Sequence, residues 1–296
     1  MIQVGTYPDT STKSNSSLTI LTYHDIVKTQ EKMNSISMTS EKRFMGQLEY
    51  ISKNNYNVIS FYDYRSYLEV NHPLPGNCII ITFDGPDRNW LRLAVPILLR
   101  YKFKATFFVI SSWVNKVKRN ISWDDLKTIK SIKNGNSVQL FDIESHSVTH
   151  ALLFKNDNED REGFSNRLEY EIGKSKEQID NKLQQNTRFF ALPFGRGDLT
   201  AVVKTVKKYN YWGIRSCDPG WQNLNRPELF NLPTDYADAI IYRPMLFGLA
   251  LRKNASGDYI KLFYLLFIKA SNIISKLYWL LVNLRFFVKN LFGRKN

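Results

Sequence analysis

The chain has 296 residues, 43% of them hydrophobic, and a formal net charge of +14. This length is sufficient for one large domain plus an appendage, and two cysteines give no disulfide framework. Lysine and arginine clusters are typical of nucleic-acid binding, but the chain has no zinc-finger, helix-turn-helix or aromatic RNA-binding signature, so we expect no nucleic-acid partner.

Strand-like runs alternate with helical patterns along the chain. The strand-like runs cover residues 18–23, 57–60, 78–83, 104–110, 137–143, 188–192 and 211–216. The helical patterns cover 41–54, 89–101, 122–133, 161–184 and 199–209, and Ser122 with Asp125 predicts a capping box at the third of these helices. This alternation predicts a parallel sheet with covering helices, closed or nearly closed as a barrel.

Four short segments carry the candidate chemistry: Tyr23-His24-Asp25, Thr82-Phe83-Asp84-Gly85-Pro86, His146-Ser147-Val148-Thr149-His150 and Leu192-Pro193-Phe194-Gly195. Histidines at i and i+4 can lie on one side of a helical turn and reach a single divalent cation. Asp84 ends an apolar run typical of a buried strand, and barrel enzymes place their chemistry at the carboxyl ends of strands. Each signal is weak alone. Three of the four histidines fall in these segments, however, which favours a metal-assisted hydrolase.

The order of these segments resembles the polysaccharide deacetylases with the NodB-homology domain, carbohydrate esterase family four. The family blocks read T-F-D-D-G, H-(S/T)-x-x-H and P-Y-G or a close relative, and the resemblance covers roughly residues 18 to 235. The early Y-H-D segment is similar to the branch that deacetylates biofilm exopolysaccharides such as poly-N-acetylglucosamine. The resemblance implies an α/β fold, a distorted (β/α)7 barrel, and an N-acetylated glycan as substrate.

The resemblance also implies a divalent metal, Zn²⁺ or alternatively Co²⁺ or Ni²⁺, held by His146, His150 and one aspartate such as Asp84. Such an ion keeps an open position for water and the acetyl carbonyl oxygen. A carboxylate would take the proton of the water, and His24 would protonate the departing amine. The backbone N–H of Phe194 would help to hold the tetrahedral oxyanion.

The chain departs from the family pattern where two adjacent aspartates are expected, because Asp84 is followed directly by Gly85. If one residue is deleted, Asp84 serves as either base or ligand; without a gap, Asp84 is the base and Gly85 occupies the ligand position. Asp87 and Glu144 are candidate replacement ligands, since Glu144 lies two residues before His146 and would project to the same side of a strand. The alternative is that Glu144 is a solvated side chain at a strand end.

A second departure lies before the Pro-Phe-Gly turn. Many family members carry an arginine two residues before the proline, where it orients the base, and this chain has Ala191 there. Arg188 and Arg196 are close in sequence, but neither occupies the matching position.

The sequence predicts three regions: a polar segment over 1–17, a deacetylase domain over 18–250 and a basic amphipathic helical tail over 258–293. The tail suits a helix lying in an anionic membrane interface or, equally, one packed on protein. Residues 1–17 lack the apolar core of a secretory signal, whereas the expected substrates are extracytoplasmic. We therefore expect a membrane-associated or extracytoplasmic location, and the oligomeric state stays open.

Three functions compete. The first is a metal-dependent N-deacetylase acting on a polysaccharide or a lipid-linked glycan, and an O-acetyl esterase would use the same chemistry. The second is a degenerate barrel that binds glycan without hydrolysing it, as the missing aspartate suggests. The third is a membrane-surface scaffold, which the co-occurrence of His24, His146, His150 and Asp84 disfavours.

Overall fold

The computed structural model describes residues 17–29, 37–70, 74–216, 222–223 and 235–236. The predicted polar segment over 1–17, apart from its last residue, and the predicted tail over 258–293 lie outside the described residues. In the described part, none of the helices has both the length and the apolar character needed to cross a membrane.

Strands and helices alternate along the chain, as the sequence predicts. The strands are β1 (Ser17–Tyr23), β2 (Asp25–Val27), β3 (Met38–Ser40), β4 (Asn57–Val58), β5 (Cys78–Gly85), β6 (Ala105–Val109), β7 (Phe141–Ser145), β8 (Phe189–Ala191), β9 (Gly213–Arg215), β10 (Gln222–Asn223) and β11 (Asp235–Tyr236). The α-helices are α1 (Glu41–Lys53), α2 (Phe61–Val70), α3 (Val95–Tyr101), α4 (Trp123–Ser131), α5 (Arg161–Leu168), α6 (Ser175–Leu183) and α7 (Leu199–Lys208). Two π-helical turns, Trp90–Ala94 and Glu169–Lys174, lead into α3 and α6.

The main sheet has the order β10-β1-β5-β6-β7-β8-β9, with β11 also paired to β1 and β4 to β5. Its strand pairs are parallel except for β1 with β10. The sheet curls into a half-barrel covered by helices, which confirms the predicted (β/α)-barrel fold class. Residues from Cys78 to Asp84 in β5 are all buried, as expected for a strand with both faces covered.

The inner face of the sheet packs an apolar cluster that includes Leu18, Ile80, Phe108 and Ala191. Successive side chains of a strand alternate between faces, so Asp84, four residues after Ile80, points to the same side. The carboxyl ends of the strands therefore bring the polar residues together just above this cluster.

One predicted strand is shifted, and two elements were missed. The strand predicted over 137–143 is β7 at Phe141–Ser145, because Asn134 accepts hydrogen bonds from the backbone N–H groups of Asn136 and Val138 and forms a turn there. Helix α2 was not predicted, although Ser60 and Asp63 form a reciprocal cap at its start. The short β2–β3 pair was also not predicted. The predicted capping box of Ser122 and Asp125 is confirmed.

Candidate active site

The structure brings three of the sequence-predicted residues together at the end of β5 and β7. Nε2 of His146 lies 3.7 Å from Oδ2 of Asp84, and both side chains are 3% exposed. The His146 and His150 rings meet edge to face with 4.7 Å between centroids. His24 lies close enough for its charge to influence the pKa of Asp84 and of His150. The four residues form one buried to half-buried cluster.

The two histidines do not lie on a helical turn, so that expectation is wrong. Residues 146–150 form a loop in which Ser147 and His150 have φ of 69° and 65°, in the left-handed region. The Ser147 hydroxyl accepts a hydrogen bond from the His150 N–H at 2.9 Å. The loop turns back on itself, and this is what brings the two rings together.

Glu171 holds this histidine loop and was not predicted from the sequence. Its Oε2 accepts hydrogen bonds from the N–H groups of Val148 (3.0 Å) and Thr149 (2.9 Å), and its Oε1 accepts one from the Thr149 hydroxyl. The carboxylate is 3% exposed and belongs to the π-helical turn before α6. Turns of this kind frequently occur at functional sites.

Arg215 is a second residue that the sequence analysis missed. It is 1% exposed, and its Nη2 donates a hydrogen bond to Oδ2 of Asp84. Its guanidinium also lies over the Phe108 ring at 5.2 Å from the centroid. The signal available in the sequence was an arginine at the end of the otherwise apolar strand β9. A buried arginine is usually paired with a carboxylate, so this position indicated a charged partner. The arginine that contacts Asp84 thus comes from β9 and not from the position of Ala191.

Burial and the guanidinium of Arg215 determine the protonation states of Asp84 and of the histidines. Burial by itself would raise the pKa of Asp84, but Arg215, with His146 and His24, holds it below its ordinary value. Burial lowers the pKa of His146 to about 3 and also lowers that of His150. Near neutral pH the site therefore combines an ionised carboxylate with neutral imidazoles, the protonation states that metal ligands require.

The donor chemistry of the cluster fits a divalent cation only in part. Within the described residues, no three His, Cys, Asp or Glu side chains converge as a ready-made metal site. However, Oδ1 of Asp84 is buried without a hydrogen-bond partner. Nδ1 of His146 lies 2.9 Å from the Ala191 carbonyl oxygen, an arrangement that leaves Nε2 with a free lone pair. Two imidazoles and one carboxylate oxygen are thus available.

The two candidate replacement ligands are engaged elsewhere. Glu144 is 1% exposed, so the alternative of a solvated side chain is wrong. Its Oε1 accepts a hydrogen bond from the Tyr62 hydroxyl, and its Oε2 accepts two from the N–H groups of Arg188 and Phe189, all at 2.8 Å. Glu144 therefore joins β7 to α2 and to the start of β8.

Asp87 is bound to the segment that carries His24. Its Oδ2 accepts a hydrogen bond from the Ile26 N–H at 3.2 Å, and its Oδ1 accepts one from the Asn89 N–H. Asn89 donates to the Ile26 carbonyl, and the Trp90 indole donates to the His24 carbonyl, both at 2.9 Å. These contacts fix the backbone of the early Tyr-His-Asp segment against the end of β5.

Phe194 and Trp113 border the cluster on the solvent side. Phe194 is 56% exposed, adopts φ 56° in the turn Pro193–Gly195, and places its ring 4.4 Å from that of His150. The Trp113 ring is 6.1 Å from His150. Aromatic rings at this mouth are suited to contact the apolar faces of sugars.

Comparison with known proteins agrees with this geometry. Residues 71–214 match the family model described as polysaccharide deacetylase. This match covers just under half of the chain, which is thus similar to the polysaccharide deacetylase family. The recognition made from the four segments is confirmed, and the relatives support the prediction of a hydrolase that acts on carbon–nitrogen bonds.

Two relatives and one solved structure illustrate the similarity. YxkH of Bacillus subtilis strain 168, whose name classes it with the polysaccharide deacetylases, is 26% identical over 71% of this chain and 67% of its own. The poly-β-1,6-N-acetyl-D-glucosamine N-deacetylase of Staphylococcus epidermidis is 24% identical over 62% of this chain and 66% of its own. The chain thus spans about two thirds of the length of these relatives. The Streptococcus pyogenes deacetylase PplD, solved in complex with acetate, shares the fold with a TM-score of 0.67 at 22% identity, covering 82% of this chain and all of its own.

Proposed function

We propose that this chain is a metal-dependent hydrolase that removes N-acetyl groups from N-acetylated sugars of a polysaccharide or a lipid-linked glycan. The observation that carries the proposal is the buried cluster of Asp84, His146 and His150, with Arg215 keeping Asp84 ionised. The Staphylococcus relatives named for poly-β-1,6-N-acetyl-D-glucosamine support an N-acetylated amino sugar as the substrate class.

In this proposal His146 and His150 would hold the divalent ion, and the unpaired Oδ1 of Asp84 is either its third ligand or the base. A bound ion of this type polarises an acetyl carbonyl and lowers the pKa of water. The neutral state of both imidazoles keeps their lone pairs available. Hydrogen bonds from Trp90 and to Glu171 hold the backbone segments that carry His24 and the histidine loop.

The chain's own groups also supply the remaining steps. Asp84, if it acts as the base, accepts the proton of the attacking water at Oδ1, and Arg215 stabilises its ionised form before the transfer. His24 donates a proton to the nitrogen of the departing amine. The Phe194 ring packs against the His150 ring at the mouth of the cluster.

A second candidate function is glycan binding without hydrolysis. The observation in its favour is that Asp84, the sole aspartate of the altered T-F-D-G block, already pairs one oxygen with the permanent cation of Arg215. Only one oxygen of Asp84 is then left to serve as both base and metal ligand, two roles that the family divides between two aspartates. An O-acetyl esterase is the other alternative, because its chemistry uses the same groups.

Amine release from short N-acetylglucosamine oligomers tests the proposal. The chain is stripped of metal with a chelator and reloaded with Zn²⁺, Co²⁺ or Ni²⁺. We expect activity that depends on the added metal and is lost in His146→Ala but kept in His72→Ala, which removes a histidine outside the four segments. Acetate release from O-acetylated sugars alone would support the esterase. Binding of the oligomers without any release would support the degenerate barrel.

We further propose that the protein works at a membrane surface through residues 258–293. The support is the spacing of basic and apolar residues in that part of the sequence, which is typical of interfacial helices. Co-sedimentation with anionic vesicles tests this, with a chain ending at Asn254 for comparison. Equal sedimentation of both chains would overturn the proposal.

A further inference from the structure

A basic cleft of about 300 Å³ lies between the loop after β5 and the loop after β6. Its lining includes Arg88, Lys116 and Lys118, together with Asn115, Asn120 and Ser122. Of the residues that line it in the described part of the chain, none is a carboxylate. We call this feature the basic cleft.

The two loops that form the basic cleft are fastened to each other. The Ile121 N–H donates to the Pro86 carbonyl at 2.7 Å, and the Arg88 N–H donates to the Arg119 carbonyl at 3.0 Å. Asp87 and Asn120 form an isolated antiparallel bridge between the same loops. The backbone of the two loops is therefore held in place by hydrogen bonds between them.

The charge of the basic cleft is only partly balanced. Arg88 has a carboxylate partner in Asp125, with Nε 3.7 Å from Oδ2. Lys116 and Lys118 are exposed, and the ammonium of Lys116 lies over the Trp113 ring at 5.7 Å from its centroid. Clefts lined by charge of one sign concentrate field and attract ligands of the opposite sign.

Trp113 joins the basic cleft to the candidate active site. The centroid of its ring lies 5.7 Å from the Lys116 ammonium and 6.1 Å from the centroid of the His150 ring. Pro86, whose carbonyl fastens the cleft, is two residues after Asp84. Trp113 is therefore near both the candidate active site and a lysine of the basic cleft.

We propose that the basic cleft binds an anionic group, a phosphate or a carboxylate, carried by the glycan whose acetylated sugar lies at Asp84 and the two histidines. The inference rests on the proposed function and makes the substrate an acidic glycan.

Paired substrates test this proposal. Deacetylation and direct binding are measured for a neutral N-acetylglucosamine trimer and for the same trimer bearing either a phosphate or a glucuronate residue at one end. The variant is Lys116→Gln with Lys118→Gln, which removes two charges and keeps most of each side chain. The control is Lys182→Gln with Lys204→Gln, which removes two charges from exposed positions on α6 and α7.

We expect the unmodified chain to prefer the anionic trimers over the neutral one by about tenfold in kcat/KM at low salt, a preference that shrinks as salt is added. The cleft variant should lose most of the preference and keep its rate on the neutral trimer, whereas the control should behave as the unmodified chain. Comparison of the phosphate-bearing trimer with the glucuronate-bearing trimer shows which anion the cleft binds more tightly.

The outcomes separate the two proposals. Tighter binding of the anionic trimers that depends on Lys116 and Lys118, without turnover of any trimer, would support the cleft and overturn the hydrolase. Turnover of all trimers with equal kcat/KM and no effect of the lysine variant would overturn the cleft and leave the hydrolase intact.

Discussion

Replacing Arg215 by methionine tests the electrostatic arrangement of the candidate site. The guanidinium and the Asp84 carboxylate are 1% and 3% exposed, so solvent hardly screens their interaction. Removing one partner of such a buried pair leaves an uncompensated charge and costs about 3–5 kcal/mol of unfolding free energy. Arg196→Met removes the same charge from an exposed position, and we expect it to change stability by less than about 0.5 kcal/mol.

The double variant Arg215→Met with Asp84→Asn removes both charges. We expect it to be more stable than the sum of the single effects predicts, with a coupling of about 2 kcal/mol or more in urea unfolding. Because Arg215 holds the pKa of Asp84 down, its loss should also move the acidic limb of the kcat/KM profile to higher pH. Equal stability of Arg215→Met and Arg196→Met, together with an unmoved acidic limb, would refute this reasoning.

Three further predictions concern the histidine loop, the packing of glycines and the buried Glu144. Glu171→Met leaves the buried N–H of Val148 and the part-buried N–H of Thr149 unpaired. It should cost about 1–3 kcal/mol for the first and less for the second, with weaker Zn²⁺ binding by calorimetry, whereas Glu171→Gln should lose less. A Cβ at Gly173 would lie 2.2 Å from the half-buried Tyr209 ring, which must shift to make room. Gly173→Ala should therefore destabilise by about 1 kcal/mol, while Gly46→Ala, with open space, should stabilise by about 0.5–1 kcal/mol. Burial raises the pKa of Glu144 to about 8, so the folded state keeps a proton that the unfolded state releases above about 4.5, and stability should fall as the pH rises through this window; urea melts of Glu144→Gln should show a smaller fall.

Local patterns were enough to predict the architecture and part of the site. The apolar run ending at Asp84, the alternation of strands with helices and the Ser122 cap are properties of neighbouring residues, and each is present as predicted. The histidine loop shows the limit of this reasoning. A spacing of four residues is compatible with a helical turn. The loop with left-handed residues that is present instead is held by Glu171, which lies more than twenty residues away in the sequence.

The partners of Asp84 could not be predicted from the sequence because they depend on tertiary structure. Arg215 is 131 residues away from Asp84, and the two meet only when β9 and β5 lie on the same curled sheet. The sequence showed that the usual arginine position holds Ala191, but it gave no means of choosing among the remaining arginines. Likewise, the burial of Glu144 follows from the hydroxyl of Tyr62 in α2, a helix that was not predicted.

The geometry of the altered T-F-D-G block determines which variant best tests whether the chain is active without a second aspartate. Gly85 has φ 125°, which an aspartate rarely adopts, and a Cβ there would face Trp90 and not the histidines. An aspartate inserted after Asp84 is therefore a better probe of the missing carboxylate than a substitution of Gly85.

The most direct measurement is the rate of amine release from N-acetylglucosamine oligomers by the zinc-loaded chain and by its Asp-inserted variant. We predict that the unmodified chain releases amine and that the insertion is not needed for turnover. Release by the inserted variant alone would contradict a working site built on Asp84 and would make glycan binding the function of the natural chain.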